Sequence, residues 1–144
     1  MNKIFTLFSA DLQELNTVIS AIRYNSKVDE VATADAFRDD MFIGFRDMVG
    51  AYRRRRKPEL ITACENVWGV IEKIGTTAYR LGYTQQSGKM AALFADLDQP
   101  ENQAYLTTLS VLDIYTELKD AEAEFKIIFK SRLDEDTQNQ YPTL

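Results

Sequence analysis

Residues 28–58 read VDEVATADAFRDDMFIGFRDMVGAYRRRRKP, and their spacing decides the fold class. At 100° per residue, Ala34, Phe37, Met41, Phe45, Met48, Val49 and Tyr52 fall on one broad apolar face, so an amphipathic helix is predicted over roughly 28–56. Lys57-Pro58 stops it, because proline disfavours a helical residue before it and suits the first turn of a following helix. So short a link predicts that the next helix runs back antiparallel.

Working outward, the same periodicity recurs on both sides. Upstream, Phe5, Phe8, Leu12, Leu15, Val18, Ile19 and Ile22 recur at three and four, which predicts a helix over 10–25 with Ser9 as its cap and one buried face. Asn25-Ser26-Lys27 reads as a polar break. Downstream, Leu60, Cys64, Val67, Ile71, Ile74, Ala78 and Leu81 mark a helix over 58–81, stopped at Gly82-Tyr83-Thr84. A short helix follows over 85–97, closed by Asp98-Gln99-Pro100. A last long helix is predicted over 101–133, with Val111, Ile114, Leu118, Ala121, Phe125, Ile128 and Arg132 along a heptad-like seam. Its first half is apolar nearly all round, which calls for neighbours on two sides. The expectation is an all-α fold: an antiparallel bundle of four long amphipathic helices plus one short helix. It occupies one domain, residues 1–134, with a polar tail at 135–144.

Composition narrows the function classes. The 144 residues are 45% hydrophobic, enough for a self-sufficient core, and a net charge of −5 argues against a nucleic-acid coat. A single cysteine and a short, interrupted N-terminal apolar run point to a soluble cytoplasmic protein without a membrane span. Histidine is absent, which removes Ser–His and Cys–His nucleophiles, histidine metal sites and imidazole acid–base chemistry. Neither a catalytic constellation nor a cofactor or metal site is expected.

Three features remain as candidates. Arg53-Arg54-Arg55-Arg56-Lys57 reads first as a solvated helix terminus and second as a docking point for an acidic protein partner. Asp113, Glu117, Asp120 and Glu124 form an acidic row on the last helix, a solvated face or a stripe for cations such as the arginine run of a second protomer. Arg38 projects among apolar residues, so it calls for a carboxylate, Asp35 being nearest, either as a buried ion pair or as part of an anion site. Taken as one pair, this predicts that Arg38→Met is tolerated better than loss of the partner carboxylate. Ala36, Ile43 and Gly50 lie seven apart on the outer side of the 28–56 helix, a flat stripe against which another helix can pack. Cys64 falls in a core stripe and reads as an inert thiol.

Four stretches carry a resemblance. They are Asp35-x2-Arg38-Asp39, Ala63-x4-Trp68 through Ile74-Gly75, Lys89 to Leu97 (KMAALFADL), and Leu118-x2-Ala121-x3-Phe125-x6-Arg132. Together they resemble a family of uncharacterised bacterial helical proteins, a domain of unknown function. The resemblance implies an all-α fold and carries no activity. From the residues, the expectation is a non-enzymatic interaction or structural protein that pairs with itself or with another protein. The second reading is a helical bundle that binds a small molecule or anion.

Overall fold

A computed structural model describes residues 2–140, with the side chains of 14–19, 22 and 29–137. Among these the chain is all helical: α1 (Asn2–Ala51), α2 (Pro58–Ile74), α3 (Tyr83–Leu97), α4 (Pro100–Thr108) and α5 (Leu112–Gln140), with 3₁₀ turns at Tyr52–Arg54 and Ala78–Arg80. No described helix is long and apolar enough to cross a membrane. α5 carries the backbone of the expected tail on to Gln140.

The helices differ from the expected set at several places: α1 begins at Asn2, so Ser9 lies inside it rather than capping it, and its α-helical course ends at Ala51 rather than 56. The expected break at 25–27 is absent, and α1 continues through it. Helix 58–81 ends early at Gly75, whose φ of 106° is open to glycine but not to residues with a Cβ. The expected 101–133 helix is interrupted at Ser110. There φ is 56°, and Val111 N–H reaches back to the Leu106 carbonyl, a six-to-one closure that ends α4 with serine in the left-handed position glycine usually takes. Pro58 opens α2 as expected, and its fixed φ fits the first helical position.

α1 packs most extensively on α5. A Cβ built on Gly44 would meet Ile114 at 3.1 Å, while Arg38 reaches Glu122, so the two helices run in opposite directions. Two groups of buried side chains result. The larger joins Phe42, Phe45 and Val49 of α1 to Val67 and Ile71 of α2, Met90 and Leu93 of α3, Leu106 of α4 and Leu118 of α5. The smaller holds Val31, Ala34 and Phe125, with Tyr83, Ile128 and Phe129 packed around them. Phe45, Ile71, Leu118 and Phe125 are all fully buried.

The face α1 turns inward overlaps the expected one at Ala34, Phe45 and Val49 but is rotated from it. Phe37 and Met48 are 47% and 43% exposed, while Val31, Arg38, Phe42, Phe45 and Val49 are buried. More consequentially, Leu15, Val18, Ile19 and Ile22 are 56%, 53%, 38% and 61% exposed, against the expectation that this face is buried. Phe5, Phe8 and Leu12 lie outside the described side chains. Glu14, Asn16 and Thr17 are exposed as well, so this stretch of α1 is open on every described side; Ile22, nine positions or about two and a half turns before Val31, points the opposite way from the buried face.

The apolar first half of the expected 101–133 helix, read as needing a second protomer, is satisfied inside the chain. The turn at Ser110 lets Leu106, Leu109 and Val111 all enter the core. Of the outer stripe of Ala36, Ile43 and Gly50, Gly50 is covered, because the Trp68 ring lies 3.1 Å from where its Cβ would stand, while Ile43 is half-buried and Ala36 exposed.

Candidate functional site

Arg38 is the largest fully buried side chain among the described residues, and it sits where α1, α3 and α5 meet. Its Nε donates to Asp35 Oδ1 at 3.0 Å, one helical turn back on α1. Its Nη1 donates to Glu122 Oε2 on α5 at 2.8 Å and to Ser87 Oγ on α3 at 2.9 Å. Its Nη2 reaches the Tyr83 carbonyl, in the first turn of α3, at 3.3 Å. The guanidinium plane covers Phe125, with Cζ 3.5 Å from the ring centroid. Phe125 in turn packs against Tyr83 and Phe129, at centroid distances of 5.3 and 5.5 Å. One cation is thus shared between two carboxylates, a hydroxyl, a carbonyl and an aromatic face, which is how a dry guanidinium is stabilised.

Asp35 is therefore half of the answer expected for Arg38. Glu122 is the other half, and it is the more deeply placed, with its side chain 5% exposed against 22% for Asp35. Glu122 went unnoticed because the acidic row on the same helix drew attention to the solvent face. Its spacing was the available signal: four residues after Leu118 and three before Phe125 places it on the core face. Its Oε1 makes no hydrogen bond. With its donors turned to protein groups, Arg38 is arranged as a structural clamp rather than an open anion seat.

Beside the clamp, buried Gln86 donates from Nε2 to Asp39 Oδ1 at 2.6 Å. Burial pushes the Asp39 carboxyl above its ordinary value of 3.8; the Gln86 hydrogen bond opposes this, and repulsion from Asp35 adds to it. A raised folded pKa means ionised Asp39 works against the fold at neutral pH. That cost fades as pH falls through the raised value and is gone below the unfolded one. Asp39→Asn, whose carbonyl still accepts from Gln86, is therefore expected to stabilise the protein at pH 7 by less than about 1 kcal/mol. Thermal unfolding at pH 7 and pH 4 checks this: the gain should shrink at the lower pH, and an equal gain at both would contradict it.

The two charged features are both at the surface. Arg53, Arg54, Arg55, Arg56 and Lys57 are exposed, but they follow α1 rather than end it, occupying a 3₁₀ turn and an extended link. Arg53 stacks 4.8 Å from the Trp68 ring and Arg55 lies 6.0 Å from that of Tyr52. Asp113, Glu117, Asp120 and Glu124 are exposed along α5. No ion pair among the described residues joins any of the five cations to any of these four carboxylates. Cys64 is buried, and its Sγ donates to the Val49 carbonyl at 3.3 Å; burial raises its thiol pKa, away from nucleophilic character.

A further polar set ties α3 to α5. Tyr115 Oη donates to Asp98 Oδ1 at 2.8 Å, and Lys119 Nζ bonds both Asp98 oxygens at 2.9 Å. Burial raises the Asp98 pKa, but the Lys119 and Tyr115 hydrogen bonds and the Lys119 charge outweigh it and leave the carboxyl lowered. Burial, then the Asp98 contact, pushes the Tyr115 phenol far above its ordinary range. Such a phenol stays protonated and serves packing.

Two further surfaces are concave or apolar. An open groove of about 620 Å³ runs between α1 and α5, floored by Ala34, Phe37 and Ile128 and edged by Asp29, Glu30 and Glu124. The upstream stripe of α1 and Ile127, 71% exposed on α5, present apolar side chains to solvent. Among the described residues no group of His, Cys, Asp or Glu is placed to hold a metal ion.

The profile of the Family of unknown function (DUF6261) matches residues 28–144. No curated protein and no solved structure matches the chain.

Proposed function

The chain belongs to the Family of unknown function (DUF6261), and we propose that it is a non-enzymatic interaction protein that self-associates. The observation that carries this reading is the apolar stripe of Leu15, Val18, Ile19 and Ile22, exposed on α1 upstream of its buried positions, which among the described residues begin at Val31. These four apolar side chains, at steps of three, one and three, lie along one side of the helix, and exposed apolar patches mark binding surfaces. Of the two features first read as calling for a helix neighbour, the apolar segment around Ser110 is met within the chain and lends no support, and the outer stripe of α1 is covered at Gly50 but open at Ala36. Charge adds to the reading: the Arg53–Lys57 run and the Asp113–Glu124 row are both unpaired with each other and exposed, so a second copy offers each its complement.

Sedimentation velocity across about 1–100 µM protein, the range of weak to moderate association, tests it. The expected result is a concentration-dependent mass above the 16.5 kDa of one chain. A 16.5 kDa species throughout overturns the proposal.

The small-molecule reading has one observation in its favour, the groove between α1 and α5. Its acidic edge suits a cationic, partly apolar ligand and opposes an anion.

A further inference from the structure

We infer that two copies of the chain pair through the outer side of the α1–α5 pair, the basic end of each seated on the acidic groove of the other. The inference rests on the self-association proposed above and names a surface through which it occurs.

The first observation is which side of the helix pair the rest of the fold leaves bare. At 100° per residue, Arg38, Arg46 and Gly50 of α1 turn the same way as Tyr115, Lys119 and Phe129 of α5. The other elements pack there. Ser87 bonds Arg38, Tyr79 lies under Arg46 and Trp68 covers Gly50. Asp98 bonds Tyr115 and Lys119, and Tyr83 packs on Phe129. Phe37 and Met48 of α1 and Glu124 and Ile128 of α5 turn to the opposite side, which carries the open groove.

The second is how charge is laid out along that side. Its upstream end is acidic, with Asp29 and Glu30 of α1 and Glu124 of α5 edging the groove. Lys126 and Lys130 turn away from it around α5, and Arg132, one turn past Ile128, pairs with Asp136 at 3.9 Å. The downstream end is basic. Arg55 lines a second open hollow, of about 310 Å³, with Met48, Ala51 and Tyr52, and the exposed Arg54, Arg56 and Lys57 adjoin it. Among the described residues no ion pair engages the three edging carboxylates or the run from Arg54 to Lys57.

The third is symmetry. Glu30 and Arg55, and likewise Phe37 and Met48, are each centred midway between Phe42 and Ile43. A two-fold axis at that level of the bare side therefore sets each basic end on the other copy's acidic groove, and brings the exposed Met48 against the exposed Phe37. A partner without this polarity answers one end and leaves the other uncovered. A second copy answers both at once, and the contact closes at two.

The test uses charge reversal in the full chain, read by sedimentation velocity. One variant makes the basic end acidic (Arg54→Glu/Arg56→Glu/Lys57→Glu), and another makes the groove basic (Asp29→Lys/Glu30→Lys/Glu124→Lys). Glu65→Lys/Lys89→Glu, exposed on α2 and α3, is the control. All the altered side chains are exposed, so far-UV circular dichroism should match the parent. Each end variant alone should associate at least about tenfold more weakly than the parent, and the control should be unchanged. An equimolar mixture of the two end variants should regain association, because every contact in the mixed dimer again joins opposite charges. A mixture that stays monomeric, or an end variant that associates like the parent, overturns this inference and leaves self-association intact. A parent chain that stays monomeric overturns both.

Discussion

Arg38→Ala is expected to lower stability by about 3–5 kcal/mol, the largest effect of any single surface-neutral change in this protein. The guanidinium is fully buried and, among the described residues, is the only side-chain hydrogen-bond partner of Glu122, whose Oε1 has none. Removing it leaves a carboxylate dry and unpaired on α5, frees the first turn of α3 from Tyr83 and Ser87, and opens a void above Phe125. Glu122→Gln should cost much less, because Arg38 keeps Asp35, Ser87 and the Tyr83 carbonyl. A single Arg–Asp pair would give the opposite order, with Arg38→Met the milder change. Two carboxylates on one cation reverse it, since losing the cation strands both. Arg38→Met/Glu122→Leu should then recover part of what Arg38→Met loses, as buried pairs replaced whole by apolar groups often do. Urea unfolding of the four variants decides it, and a loss below about 1 kcal/mol for Arg38→Ala would remove the clamp from the account.

Phe125→Ala should cost a similar amount, about 3–5 kcal/mol. Phe125 is fully buried, stacks on Phe129 at an interplanar angle of 14°, meets Tyr83 edge-on and carries the Arg38 guanidinium. Val31 and Ala34 share its buried cluster, with Tyr83, Ile128 and Phe129 packed against it, so truncation leaves a gap among side chains already in contact. The two changes share partners, so Arg38→Ala/Phe125→Ala should fall short of their sum. A fall in melting point of only one or two degrees for Phe125→Ala would place the seam of α5 elsewhere than in the core.

Helix content and most core residues were readable from periodicity, because burial on a helix repeats every three or four residues whatever the fold. Phe45, Ile71, Leu118 and Phe125 came through on that basis. What periodicity cannot say is which of two apolar faces is covered. Leu15 to Ile22 and Val31 to Val49 are each regular, and the change of phase between them looks in sequence like a break between two helices. In the fold it is one helix changing the side it shows. The same ambiguity put Phe37 and Met48 inside, because a hydrophobic stripe drawn without Arg38 is centred wrongly once Arg38 turns out to be the middle of the buried face. Glu122 was hidden for the matching reason: a charged residue on a core face is invisible to a rule that assigns charge to solvent. Ser110 and Gly75 show a different limit. Glycine at 75 and glycine at 82 are equivalent as letters, and only the backbone distinguishes the one that turns the chain.

The unbroken course of α1 makes the orientation of its two faces a matter of counting. Along one continuous helix the bearing of one stripe on the other follows from the number of residues between them. Two residues inserted there would turn the upstream stripe by roughly 200° and bring it onto the side of α5, whereas seven would advance it about 10 Å along the axis and rotate it little. The stretch from 23 to 30 thus acts as a dial and a ruler at once, and its length is what the protein has to keep.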